Sequence, residues 1–214
     1  TRQALLIFPP PSKLGAYLAG EKCFFKPLEG EEFMKNQEQQ TSPRIYVACL
    51  AAYNAGQLHG EWINADREAN EIQVDIKSML ERSPESSAEE WAVHDYEGFH
   101  SISLSEWPDI ERVSTLAKLI VAHGEPFSIW YQNQDGSNFE ISELEEMFLE
   151  QWQGSFESET DFAFKLLEES GQLSELPAWA QNYFDCESYA RDLHLGGDFS
   201  FTRHNCQTYV YRNC

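Results

Sequence analysis

The spacing of apolar and polar positions changes several times along the chain, and each change predicts an element. Arg44–Leu50 is a β-type apolar run that breaks at Tyr53-Asn54-Ala55-Gly56. A second short strand is expected at His59–Ala65. Asp66 should then cap a helix whose apolar positions Ile72, Ile76, Met79 and Leu80 follow the i, i+4, i+7, i+8 stripe and which stops before Pro84. Glu90–Phe99 reads as a third strand, ending in the turn Glu97-Gly98-Phe99. Together these predict a small three-stranded α+β unit over residues 44–104.

Residues 105–145 read as a helical second part. Ile110, Val113, Leu116, Ala117, Ile120 and Val121 make one helical face with Gly124 as a C-terminal stop. A shorter helix is expected around Phe127–Gln132, then a loop at Asp135-Gly136. Ile141, Leu144, Phe148 and Trp152 continue as a helical stripe opposite Glu143, Glu145, Glu146 and Glu150, leading into a third, α+β part over residues 146–214. There Ser158-x-x-Asp161 is a capping box for a helix with Phe162, Ala163, Leu166 and Leu167 inward, ended by Gly171. Asp185 should cap a last helix through Leu193, stopped by Gly196-Gly197. Phe199–Thr202 and Thr208–Tyr211 alternate like a closing hairpin with its turn near His204-Asn205. Residues 1–43, with Pro9-Pro10-Pro11 and a polar stretch Asn36–Pro43, read as a linker-like extension. The fold class expected is α+β, with small antiparallel sheets, helices and a central helical segment.

Composition narrows the function classes. Of 214 residues, 42% are hydrophobic and 14% aromatic, too much for a disordered acidic tail. No run approaches the ~18 apolar residues of a membrane span, and Ala4–Phe8 is too short for a signal-peptide core. The expectation is a soluble, cytoplasmic protein with no membrane partner. Five scattered cysteines then read as free thiols. Cys186, His194, His204, Cys206 and Cys214 fall near one another in sequence but lack the tight C-x₂₋₄-C pair of a zinc site, so no metal is expected.

Charge changes the picture most. The chain has 36 acidic and 15 basic residues, a formal net charge of −21. Residues 1–43 hold five of each, so 31 acids face 10 bases over residues 44–214. A magnitude of roughly 2–8 suffices for solubility of a small domain, and the rest is self-repulsion that calls for a basic partner. Duplex DNA carries one charge per ~1.7 Å of axis, so 21 such charges correspond to about ten base pairs. Acid density peaks at residues 137–175, where Glu140, Glu143, Glu145, Glu146, Glu150, Glu157, Glu159, Asp161, Glu168, Glu169 and Glu175 face Lys165 alone. A merely solvated helix face would interleave lysines at these spacings, because like charges three or four apart repel.

Motifs for catalysis are lacking. No phosphate-binding glycine loop, H-E-x-x-H or G-x-S-x-G occurs. Treating Asp135-Gly136 as a calcium loop puts Tyr131 and Ser142 at positions that need carboxylates. His94 and Asp95, neighbours in a strand, should point to opposite faces and cannot form a catalytic couple. No pair among the carboxylates is singled out as general acid and base. A binding protein without catalytic residues or cofactor is expected.

Several segments, read in order, resemble the ArdA antirestriction family: RIYVACLAAYNAG at 44–56, LHGEWINA at 58–65, EEWAVHDYEGF at 89–99, LLEESG at 166–171, YARDL at 189–193, GDF at 197–199 and YVYR at 209–212. The resemblance covers about residues 44–212. It implies an elongated three-part α+β protomer that forms a homodimer and carries carboxylates arranged like the phosphates of bent DNA. It implies a partner, the DNA-binding groove of a type I restriction–modification enzyme, rather than nucleic acid itself, and encoding on mobile elements. Leu166, Leu167, Glu168, Glu169, Ser170 and Gly171 fall where that family has its antirestriction motif. Met147, Phe148 and Leu149 crowd more apolar surface beside the 141–152 stripe than one face needs; they either complete the protomer's core or, as the resemblance implies, are dimer-interface candidates. Residues 1–43 and the terminal Cys214 depart from the family pattern. An acidic, chaperone-like binder of basic DNA-binding proteins is the other reading of the same charge.

Overall fold

A computed structural model describes residues 42–213. The expected extension therefore lies, up to residue 41, outside the described residues, as does Cys214. The architecture is α+β, with two three-stranded antiparallel sheets and helices between and around them.

Strands β1 (Arg44–Cys49), β2 (Gly60–Asn64) and β3 (Trp91–Glu97) form the first sheet in the order β2-β1-β3. Ile45, Val47 and Cys49 alternate inward from β1 and are fully buried, while Arg44 and Tyr46 stand on the other face. A short helix, α1 (Leu50–Asn54), follows β1. Helix α2 (Ala69–Glu81) lays Ile72, Ile76 and Met79 on this sheet. Its N-cap is Glu68 rather than the expected Asp66. The Glu68 carbonyl accepts from the amides of Glu71 and Ile72, while Asp66 accepts from the Ser42 hydroxyl at 3.4 Å. In β3 the register shifts by one residue, Tyr46 pairing with Asp95 and Val47 with Val93, so His94 is the extra residue of a bulge. The regular alternation expected at His94 and Asp95 is therefore interrupted there. Both are exposed, His94 against the Tyr53 ring at 4.9 Å, and Asp95 accepts from the Tyr96 amide.

Helix α3 (Ile110–His123) is capped by Asp109, whose carboxylate accepts from the Glu111 amide, and ended by Gly124 at φ 68°. Because α3 packs against both α2 and α4 (Glu125–Asn133), its buried arc is wider than one stripe. Leu119 is buried on the added side, whereas Val121 in the last turn is 54% exposed, contrary to expectation. Helix α5 (Leu144–Gln151) buries Leu144 and Phe148.

The stripe Ile141–Trp152 is continuous in space but not in one helix. Ile141 lies in a 3-10 turn, and Trp152 opens strand β4 (Trp152–Phe156). The Trp152 ring still stacks on Phe148 at 5.8 Å, so the contact that the spacing implied is made from a different element. Helix α6 (Glu159–Ser170) is followed by two four-residue turns, α7 (Gln172–Glu175) and α8 (Ala178–Gln181), then by α9 (Cys186–Gly196) and the hairpin β5 (Phe199–His204) and β6 (Gln207–Arg212). Asn205 and Cys206 at the hairpin tip both have positive φ, 47° and 62°, the backbone of a type I′ turn.

Strand β6 is the middle of the second sheet, order β4-β6-β5, and its alternation joins two cores. Tyr209 and Tyr211 point into a large cluster with Phe127, Trp130, Phe148 and the first sheet. Val210 points the other way, into a small cluster with Phe162 and Phe199, flanked by Leu166 and Leu193. No helix among the described residues is long and apolar enough to cross a membrane.

Candidate functional site

Elements α5 and α6 present the acidic stretch. Apolar Leu144, Phe148 and Leu167 take the inward positions, which leaves the intervening glutamates outward. Glu140, Glu143, Glu145, Glu146, Glu150, Glu157, Asp161, Glu168, Glu169 and Glu175 are exposed, and Glu159 is half-buried. Of the ten bases in residues 44–214, six precede residue 137 and three follow residue 175, leaving Lys165 alone in this stretch. Its ammonium lies 3.8 Å from Glu169 and 5.2 Å from the centre of the Phe156 ring.

Before residue 137 the cations are engaged within the fold. Arg44 forks Glu97 at 2.9 and 2.7 Å and lies 4.6 Å over Trp62. Arg67 pairs with Asp75, Arg82 with Glu61, and Lys118 with Glu68 at 2.7 Å. The Arg112 guanidinium is a packing element, donating to the Tyr131 hydroxyl and to the Gly136 and Phe139 carbonyls. Three histidines meet carboxylates across element boundaries: His123 with Glu145 at 3.0 Å, His194 with Glu159 at 3.1 Å and His204 with Glu125 at 2.8 Å.

The last pair belongs to a cluster that sequence reasoning missed. Glu125 opens α4 and accepts from the Tyr209 hydroxyl at 2.9 Å and from Asn205 Nδ2 at 3.2 Å, tying the final hairpin to the central helices. Burial first, then the Glu125 bond and charge, push the Tyr209 phenol up to about 12. Burial also pushes Tyr211 far up, with the charges of Tyr209 and Glu125 adding to it. The signal available was Gly124-Glu125-Pro126, a helix start with an acid in its first turn.

The C-terminal cysteines and histidines are not drawn together. Cys186 is half-buried on α9, where burial and then the Asp185 charge push its thiol up, while Cys206 is exposed at the hairpin tip. Among the described residues no group of three His, Cys, Asp or Glu is placed to hold a metal ion.

Of the three interface candidates, Phe148 requires correction. It is 1% exposed and packs against Phe127, Trp130, Trp152 and His123, so its surface is used within the chain. Met147 is half-buried against the same core. Leu149 is 54% exposed and, at helical spacing, stands beside Glu145 and Glu146.

A family model described as antirestriction protein (ArdA) matches residues 45–208. The chain belongs to the ArdA antirestriction family. No curated protein matches it. Membership makes it an antirestriction protein whose partners are restriction–modification enzymes. In this ArdA chain the segment Leu166–Gly171 forms the last turns of α6 and its cap. Leu167 is buried and Leu166 half-buried against the small core, Glu168 and Glu169 point to solvent, and the Ser170 hydroxyl donates to the Leu167 carbonyl at 3.2 Å. Gly171 adopts φ 73° as the left-handed C-cap.

Proposed function

We propose that this ArdA protein blocks type I restriction–modification enzymes by occupying their DNA-binding groove as a prefolded mimic of duplex DNA, without catalysis. The observation that carries the reading is the outward carboxylate array of α5 and α6 with Lys165 as its single cation. Glu143, Glu145, Glu146 and Glu150 span seven residue steps, about 10 Å of helix at 1.5 Å each. That is one charge per ~3.5 Å, close to the 3.4 Å phosphate spacing along one DNA strand.

Basic side chains of the groove would meet carboxylates in place of phosphates. Because these carboxylates sit on folded helices, little ordering entropy is lost on docking. Sequence is read through base edges, which carboxylates do not imitate, so inhibition should be indifferent to the recognition sequence of the enzyme. A homodimer would double the length of the mimic from about ten to about twenty base pairs.

The test is the plating efficiency of unmodified phage on hosts carrying type I systems of different specificity, with and without the protein. Rescue on all such hosts supports the reading. Rescue on none, with the protein folded and expressed, overturns it. Equal inhibition of unrelated basic DNA-binding proteins would instead favour a chaperone-like binder of basic proteins.

A further inference from the structure

Between α6 and α9 two large aromatic side chains stand in solvent that neither core uses. Trp179 is 72% exposed and Tyr183 84% exposed. They are four residues apart in a turn that continues past α8, with the Tyr183 amide donating to the Ala180 carbonyl at 3.0 Å, which sets the two residues about one turn apart. The turn is held at several points. Gln181 Nε2 donates to the Leu176 carbonyl at 3.0 Å, and the Ala180 amide to the Pro177 carbonyl at 2.7 Å. Downstream, Phe184 packs edge-on against Tyr189 of α9 at 5.9 Å, and Asp185 caps that helix.

A singly exposed aromatic needs no explanation. Here two stand four residues apart on one braced turn, and exposed carboxylates flank them in sequence: Glu175 before, Asp185 and Glu187 after. Such surroundings choose the occupant. Phosphates would be repelled. A second copy meeting this patch about a twofold axis would set like charges against each other. A surface rich in arginine and lysine would gain twice, because the face of an indole or phenol ring attracts cations within about 6 Å and the flanking carboxylates attract the same groups.

We propose that Trp179 and Tyr183 form an aromatic docking element for arginine and lysine side chains of the restriction–modification enzyme's DNA-binding surface. This rests on the DNA-mimic reading above and adds to it a contact that phosphates do not make. It gives the inhibitor a hold that salt screens less than carboxylate contacts, since ring contacts exclude water and bury apolar area.

The experiment is calorimetric titration of a purified type I restriction–modification enzyme with the full-length chain, at low and high salt. The variants are Trp179→Ala/Tyr183→Ala and Trp179→Phe/Tyr183→Phe, each checked by circular dichroism and sedimentation velocity. The alanine pair should weaken binding about tenfold, with a larger relative loss at high salt, and the phenylalanine pair should regain most of it. Binding by the alanine pair within twofold of the parent overturns the proposal and leaves the mimic reading standing. A slower-sedimenting alanine variant also overturns it, because the patch would then cover a second copy. Failure of the parent itself to bind would sink the mimic reading and this inference together.

Discussion

Phe148 and the tyrosines of β6 show how single residues hold the charged surface in place. Phe148 touches four aromatic rings from α3, α4 and β4, and it is the inward anchor of the helix that carries Glu145, Glu146 and Glu150. Truncation to alanine at such a site removes the contacts and leaves a cavity, a cost of about 3–5 kcal/mol. Phe148→Ala should therefore lower stability by that amount in chemical denaturation at any protein concentration. A loss confined to dilute protein would return Phe148 to an interface. Tyr209 and Tyr211 add a pH signature. Their phenols are raised from an ordinary 10, Tyr209 to about 12, so the fold favours the protonated form. The resulting stability is complete below about pH 10 and drains away as pH climbs through 12. In an ultraviolet absorbance titration, two of the nine tyrosines should ionise only late, together with unfolding. Nine tyrosines ionising before any loss of structure would refute the buried placement.

At the scale of elements, the sequence marks the caps Ser158 and Asp185 and the stops Gly124 and Gly171 where the structure has them, but not the cap of α2, which is Glu68 and not Asp66. Ser158 caps α6 as expected, its hydroxyl accepting from the Asp161 amide at 3.2 Å. The shorter Asp side chain takes that hydroxyl's proton at 2.6 Å instead of reaching back to the backbone. Ser158→Ala should cost about 1 kcal/mol, visible as a lower thermal midpoint. Ser158→Asp should restore most of it, which a generic surface change would not. Other features were hidden by tertiary context. Trp152 fits the helical spacing of Leu144 and Phe148, and only pairing with β6 makes it a strand residue. The bulge at His94 depends on register with β1, and the Glu125 cluster joins positions about 80 residues apart. The carboxylates were legible, because apolar neighbours at helical spacing fix which way they point. The apolar crowd Met147-Phe148-Leu149 was not, because adjacent residues on one helix diverge by about 100°. Leu149 is the one left in solvent, with Glu145 and Glu146 one turn before it on the same face. A twofold contact centred there would oppose like charges. Leu149→Asp should therefore leave the sedimentation coefficient unchanged, and a shift to a smaller species would place this helix at the dimer contact after all.

For the whole molecule, the uneven charge is the property that the fold serves. Ion pairs join β1 to β3 and the C-cap of α2 to β2 in the first part of the chain, while residues 137–175 carry eleven carboxylates and one lysine. Repulsion along α5 and α6 costs a few tenths of a kcal/mol for each like pair three or four residues apart, and two cores anchored by β6 absorb that cost. If binding is distributed over this array, no single carboxylate should be decisive. Glu143→Gln, Glu146→Gln or Glu150→Gln alone should change inhibition about fivefold or less, since an exposed ion pair contributes up to ~1 kcal/mol and salt reduces it. Neutralising four or more of the eleven carboxylates together should weaken inhibition progressively and flatten its dependence on salt, because fewer charges then contribute to the attraction. Thermal stability should hold or rise, since internal repulsion falls at the same time. That opposite movement of stability and inhibition separates a functional array from a structural one. Inhibition assays at two salt concentrations, run beside thermal melts, would show it. A single neutral substitution that abolished inhibition in a folded protein would overturn the distributed mechanism and point to one discrete carboxylate site.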